Sequence, residues 1–417
     1  MTRSDNLAPD GPEAHSGPQA HLALVPRDGL FLKDGRGWYT SDVGRSHARP
    51  WPLPPTVRGA LRAAYGHHLM ARGAPRLAPE VWEQRTEALA LRAVLTLRRP
   101  RGASVPNFEP AHRLWPIPCD AVIDERDAIH RLAPTPTALG GGLDLDQVDI
   151  ASSSADEVAC FQGLWRPCPP DLGKPERRPQ FWTEATMCKW LAGGEVASSS
   201  GLDPAQRTDV HVTISPGTGA ATPSMLFWSQ ITEPMDNAGH EWAVAVACAL
   251  PSDPEADDFP AGPIGLGGRR RQTWAKRVDA ALFAMPAGLA DRLANSRGLR
   301  LTCVTPALFL ERGWLPDGFE AKPEGYIGRV SGIDAELRLR AALVPRPLDL
   351  STWNTVARAP RATLRLVAPG AVYFFDKLDG AKFTAAEHQS LWLAGLGTGR
   401  ADGLGLVVPG RWDPPSA

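Results

Sequence analysis

"GLGTGRADGLGLVVPG", residues 395–410, sets Gly395, Gly397, Gly399, Gly403 and Gly405 around one arginine, Arg400. Glycine reaches positive φ and lets a ligand approach the main chain, so such a run is either a phosphate cradle or a turn. What flanks it narrows the choice. "TAAEHQSLWLAG" before it places Leu391 and Leu393 near Ala385 or Ala386 on one apolar side of a helix, and "GLGLVVP" within it continues as a strand. A dinucleotide fingerprint needs strand, glycine turn and helix in that order, so that the helix N-terminus faces the pyrophosphate. Here the order is reversed, and the Gly-Lys-Ser/Thr ending of a P-loop is missing. The run is therefore an αβ loop in a mixed chain. It is either a connection in which Gly395 caps the helix or a surface on which an anion meets Arg400.

Working outward, the 417 residues suffice for roughly two or three domains with a substantial core. Lys+Arg 45 against Asp+Glu 46 gives a net charge of −1, so a polyanionic partner must be met by a local basic patch. Gly 40 and Pro 41 predict many loops between short strands. Cys119, Cys160, Cys168, Cys188, Cys248 and Cys303 form no CxxC pair and have no matching His spacing, which points to free thiols and to no metal site. There is no 18-residue apolar run, and the opening "MTRSDNLAPDGPEAHSGPQA" lacks the apolar centre of a signal peptide, so a cytoplasmic protein without membrane contact is expected. Rich in Pro, Gly, Asp and Ser, residues 1–20 read as a disordered tail.

From His21, "HLALVPRDGLFLKDG" reads as strand, turn and strand, and "TVRGALRAAYGHHLM" as a helix capped by Thr56, with Arg58 and Arg62 at i,i+4. "ALRAVLTLRRPR" and "HRLWPIPCDAVI" alternate as strands, and an acidic, Gly-rich insertion follows through Leu145. "FWTEATMCKWLAGG" is a short helix. "RTDVHVTISPGTGAATPSMLFWSQIT" is a long hairpin whose arms would present Thr213, Met225, Phe227 and Trp228 on a shared face. A second half opens near Glu241 with the strand "EWAVAVACAL", a helix "RQTWAKRVDAALFAM" and the strands "RLTCVTPALFL", "AELRLRAAL" and "ATLRLVAPGAVYFFD". Both halves mix strands and helices in a β-α-β-β-α-β manner, an α+β fold class.

A second glycine run, "GPIGLGGRRRQTW" (262–274), joins Gly265, Gly267 and Gly268 to Arg269, Arg270 and Arg271 at the start of the expected helix. Cations are misplaced at a helix N-terminus unless an anion binds there, although "DPEADDF" nearby could offset them as a solvated cluster. Trp38, Trp51, Trp165 and Trp274 recur in expected loops, suited either to stacking on single-stranded RNA or to the core.

"DGLFLKDGR", "WPLPPTVRGALRAAYG", "PIGLGGRRR", "APGAVYFFD" and "GLGTGRADGLGLV", spread in this order from about Leu24 to Val408, resemble the RAMP-superfamily subunit that caps the crRNA 5′ end in type III-B CRISPR effectors, the Cmr complex. The resemblance implies two ferredoxin-like (RRM-type) domains with insertions, at 21–235 (with a thumb-like hairpin around Ser215–Pro223) and 236–417 (with the glycine-rich loop). It implies no catalysis and no cofactor or metal. Its implied partners are the repeat-derived 5′ tag of the crRNA, the large polymerase-like signalling subunit and neighbouring RAMP backbone subunits. Carried over residue by residue, the RNA-binding positions are Lys33, Arg36, Arg58, Arg62, Gly267, Gly268, Arg269, Arg270, Arg271, Gly395, Gly397, Thr398, Gly399 and Arg400. "GGRRR" is more basic than the family pattern, and residues 125–180 and the tail before His21 have no counterpart in it.

Some RAMP relatives cleave RNA with a histidine acid or base, which makes a repeat-processing endonuclease the rival reading, with His47, His67, His68 and His211 as candidates. Adjacent residues on a helix point about 100° apart, which argues against His67 and His68 serving one site. "DAVIDERD" (120–127) reads as a solvated acidic loop rather than a metal-binding carboxylate cluster. A protein-only scaffold is the third reading, supported by the near-zero charge and the Trp- and Pro-rich insertions.

Overall fold

A computed structural model describes residues 18–34, 44–46, 48–71, 77–102, 107–136, 164–168, 179–196, 201–252, 258–269, 271–354 and 356–415. The expected 1–20 tail falls outside these except at its end, where Gln19 and Ala20 already belong to a strand.

In chain order the elements are β1 (Gln19–Pro26), β2 (Gly44–Ser46), α1 (Pro54–Ala71), α2 (Pro79–Glu87) and β3 (Ala90–Pro100). The insertion supplies β4 (Arg113–Pro116), β5 (Ala121–Ile123), β6 (Ile129–Arg131), β7 (Ala133–Thr135), β8 (Arg166–Cys168), β9 (Phe181–Thr183) and α3 (Glu184–Leu191). Then come β10 (Gln206–Ile214), β11 (Ala221–Thr232), β12 (His240–Ala249), β13 (Gly262–Leu266), β14 (Arg271–Arg277) and α4 (Leu289–Leu293). The remainder holds β15 (Gly298–Cys303), β16 (Glu320–Lys322), β17 (Gly325–Gly328), β18 (Leu337–Leu343), four short strands (β19 Leu348–Leu350, β20 Trp353–Asn354, β21 Ala359–Pro360 and β22 Leu364–Leu366), β23 (Val372–Lys377), α5 (Ala385–Ser390) and β24 (Val407–Trp412). The architecture is mixed α/β, strand-rich with few helices.

One sheet runs β13-β14-β1-β12-β3-β4-β9 and another runs β16-β17-β18-β23-β15-β24. Taken in chain order, β1, β3, β12 and β14 lie in the spatial order 4-1-3-2, with all three neighbouring pairs antiparallel and α1 between the first two strands. The set β15, β18, β23 and β24 has the same order, with α5 between its last two members.

The burial pattern explains both sheets. On β1, Leu22 and Leu24 face one way into a core with Val57, Leu61, Tyr65 and Leu69 of α1, a stripe at helical spacing. Ala23 and Val25 face the other way, into a core shared with Met187 and Trp190 of α3, Leu289 and Leu293 of α4, and Leu406 and Val408. The two sheets are thus stitched through a common apolar layer. Local signals set the helix starts. Thr183 accepts from Thr186 N ahead of α3, and Thr384 with Glu387 forms a capping box on α5.

Four expectations change. Residues 271–285, read as a helix, form β14 followed by a single 3-10 turn at Ala280–Phe283. Thr273 and Ala275 are buried while Gln272 and Trp274 are exposed, a period of two that the apolar helical count obscured. β12 and β14, whose residues the sequence groups with the later strands, pair directly with β1. The strand expected after the first turn is reduced to single bridges at Leu30, Phe31 and Lys33. On the long hairpin, Val210 pairs with Trp228 and His211 with Phe227, so Trp228 faces opposite to Thr213, Met225 and Phe227.

Candidate nucleic-acid interface

Nine of the fourteen expected site residues border one of two concavities, while Arg269, Arg271 and Gly399 border neither. Lys33, Arg58, Arg62, Gly267 and Gly268 border a cleft of ≈ 480 Å³, together with Arg49, Trp82, Glu83, Trp353, Arg361 and Asp402. Gly395, Gly397, Thr398 and Arg400 border a separate concavity of ≈ 340 Å³ with Asp317, Arg329 and Ser331. Arg36 and Arg270 lie outside the described residues, as does His47.

Within the cleft the arginines are committed to protein partners. Arg58 is 5% exposed, and it donates to Leu89 O at 2.7 Å, to Glu87 O and to Asp402 Oδ1 at 3.2 Å. Burial holds the Arg58 guanidinium below its ordinary pKa, and the Asp402 carboxylate acts in the opposite direction. Arg62 pairs with Glu83 at 3.1 Å, and its guanidinium lies 5.2 Å from the centre of the Trp82 ring. Glu83 is shared with Arg361 at 3.5 Å. α2, which the sequence reading missed because its nine residues carry no clear apolar stripe, supplies both Trp82 and Glu83.

Gly267 and Gly268 serve close approach. A Cβ on Gly267 would lie 2.8 Å from Phe31 O, and the Gly268 amide donates to that same oxygen at 2.7 Å. Arg269 has a left-handed backbone, with φ 59°, and lies over the Phe31 ring. Arg271 pairs with Asp28 at 2.7 Å, and this partner holds the Asp28 carboxyl below the usual carboxylate range. With no helix start at 269–271, the argument that these cations demand an anion there does not stand.

The loop at 395–405 is mainly a packed connection. The amides of Leu396, Thr398, Asp402, Gly403, Leu404 and Gly405 all donate to protein carbonyls, and Leu91 N donates to Ala401 O. A Cβ on Gly397 would collide with Leu308 O, and one on Gly403 would crowd Pro54 and Leu91. Thr398 Oγ1 donates to Asp317 Oδ2 at 3.2 Å. A broad amide cradle is thus ruled out, because these N–H groups are already satisfied. Among the described residues, Gly397 and Arg400 keep amides without such a bond, at the rim where the exposed Arg400 side chain donates from Nε to Gly397 O at 3.1 Å.

The histidines are dispersed. His67 and His68 do border one groove, with Gly262–Gly265 and Gln272, in contrast to the expected divergence. His211 sits on the hairpin, stacked on Phe227 and bonded to the Ser229 hydroxyl at 2.8 Å. Of the four tryptophans, Trp51 is buried against Trp242, Trp165 meets Trp412, Trp38 lies outside the described residues, and Trp274 is exposed on β14. No group of three His, Cys, Asp or Glu side chains that could hold a metal occurs among the described residues, and none of their helices is long and apolar enough to cross a membrane.

The chain is thus a strand-rich mixed α/β protein built on two antiparallel sheets, with an arginine-lined cleft beside its glycine-rich loops. The sequence profile of the CRISPR-associated protein (Cas_Cmr3) family matches residues 22–412, and the chain belongs to that family. Its similarity to solved structures is low. A subunit of the Type III-B Cmr-beta complex bound to cognate target RNA shares 9% identity at a TM-score of 0.38, covering 85% of this chain and 86% of that one. The same complex with AMPPnP gives 10% identity and a TM-score of 0.39, with the same coverage of 85% and 86%. A chain of the Csm3–Csm4 subcomplex of a type III-A CRISPR-Cas interference complex gives 8% and 0.34, covering 95% and 100%. No curated protein matches the sequence.

Proposed function

We propose that this subunit of a type III CRISPR (Cmr) effector works in the cytoplasm as a non-catalytic RNA-binding protein. It holds the repeat-derived 5′ tag of the crRNA and bridges the large polymerase-like signalling subunit to the RAMP backbone subunits. Both sheets are ferredoxin-like units, the first closing with β14 and the second opening with β15. The 4-1-3-2 strand orders support this, although each unit keeps only one of the two usual helices.

The observation that carries the RNA reading is the rim of the glycine loop, where Arg400, Arg329 and the free amides of Gly397 and Arg400 meet in one concavity. Guanidinium and amide donors together suit a phosphate. Arg58 acts here as a framework residue that fixes the loop through Asp402, rather than as an RNA contact.

The test is a fluorescence-anisotropy titration of the chain with RNA carrying a repeat-derived 5′ tag, against a scrambled RNA, at two salt concentrations, alone and with the co-expressed large subunit. Preferential binding that weakens with salt, and drops about tenfold in Arg400→Ala as a phosphate contact is lost, is the expected result. Cleavage of the RNA that disappears in His67→Ala or His68→Ala would install the endonuclease instead.

A further inference from the structure

The ladder between β1 and β14, and the chain just beyond it, carry features that the Gly397–Arg400 rim does not use. Trp274 is 40% exposed, and the Arg27 guanidinium lies 5.9 Å from the centre of its ring. Beyond the ends of both strands, beside the single bridge between Phe31 and Gly268, Arg269 lies 5.4 Å from the centre of the Phe31 ring. Thr273 and Ala275 are buried, so Trp274 faces away from the core on β14, while Phe31, half-buried beyond β1, borders the cleft that Lys33 and Gly268 line.

Charge decides what such a surface meets. On this ladder Arg271 is neutralised by Asp28, and Arg277 by Asp258. Arg27, Arg269 and Lys276 have no carboxylate partner among the described residues. Three uncompensated cations interleaved with two aromatic rings match a polyanion with flat bases, whereas an apolar protein surface would leave the cations unpaired.

We infer that this ladder is a second RNA surface, which binds single-stranded RNA without sequence preference by stacking bases at Trp274/Arg27 and Phe31/Arg269. It extends the RNA-binding reading above from the glycine loop to the β1–β14 ladder of the first sheet.

The test uses the full chain with a fluorescein-labelled oligouridylate, which carries no tag. Trp274→Ala and Arg27→Ala are expected to weaken oligouridylate binding about tenfold each, the size of one lost base stack. Trp274→Phe, which keeps a ring, restores most of the affinity, and the preference for tag over scrambled RNA is unchanged in all three. Because the side chain is exposed, thermal melts should coincide with wild type. Equal affinity of wild type and Trp274→Ala for oligouridylate, or no binding by wild type, would overturn the inference. So would an effect confined to co-purification of protein subunits. If tag and scrambled RNA bind alike while oligouridylate binding still depends on Trp274, it is the tag reading that fails.

Discussion

At the scale of single residues, the glycine run is governed by packing more than by ligand access. Gly405 has φ 74°, and a Cβ there would be driven into Leu396 O, whereas Gly219 at the hairpin tip has φ 66° with open space around it. Both substitutions to alanine pay the left-handed backbone penalty, but only one adds a collision. Gly405→Ala should therefore cost more than about 2 kcal/mol and Gly219→Ala about 1 kcal/mol, read by urea denaturation. Equal losses would show that the loop relaxes freely and is not locked. The motif's glycines were legible in the sequence, and their partners were not. That Asp402 would reach Arg58, 344 positions earlier, is set by tertiary packing alone.

At the scale of elements, α5 holds a group out of keeping with its place. His388 is fully buried, and burial pushes its pKa down to about 4 against the opposing pulls of the Glu387 carboxylate and the Leu293 backbone. The folded-state pKa lies below the unfolded one, so the neutral ring contributes stability above about pH 6.5 that is lost as the pH falls through about 4. Denaturation midpoints measured between those values should decline in wild type and decline less in His388→Leu, by a difference of about 2–3 kcal/mol. The carboxyls of Asp28, Asp236 and Glu387, held below their usual range, lose their contribution only at lower pH. A His388→Leu profile parallel to wild type would sink the assignment. Element identity followed the sequence where one period dominated, as in α1 and β12. It failed at β14, whose alternation is short and interrupted by charge, and at α2, which is held by Arg62 and Thr86 rather than by an apolar stripe.

At the scale of the molecule, one buried polar cluster ties the insertion and α3 to the second sheet beside the shared apolar layer. Asp120 of the insertion and Arg300 of β15 are both buried and pair at 2.7 Å. Trp190 closes the cluster, its indole donating to Asp120 and its carbonyl accepting from Arg300. Arg131 lies 3.5 Å from the centre of the Trp190 ring, and burial lowers its pKa to about 9. Removing one member of such a pair leaves an uncompensated buried charge. Differential scanning calorimetry should show one cooperative transition in wild type, and Arg300→Ala should lose about 3–5 kcal/mol. Two resolved transitions in the wild type would mean that the sheets melt independently.

By itself the sequence determined the class of fold, the principal helix α1, most of the long strands and, through five ordered motifs, the family. These depend on local periodicity and on short stretches of chain, which survive without any knowledge of neighbours. Only the tertiary structure decided that β12 to β14 complete the first sheet. It also set nine of the expected RNA residues around two concavities, turned Arg58 into an internal strut and left Arg27, Arg269 and Lys276 without a carboxylate partner among the described residues. Strand order, burial and the pairing of charges are properties of distant segments brought together, and their energies arise from desolvation and contact that no local pattern encodes.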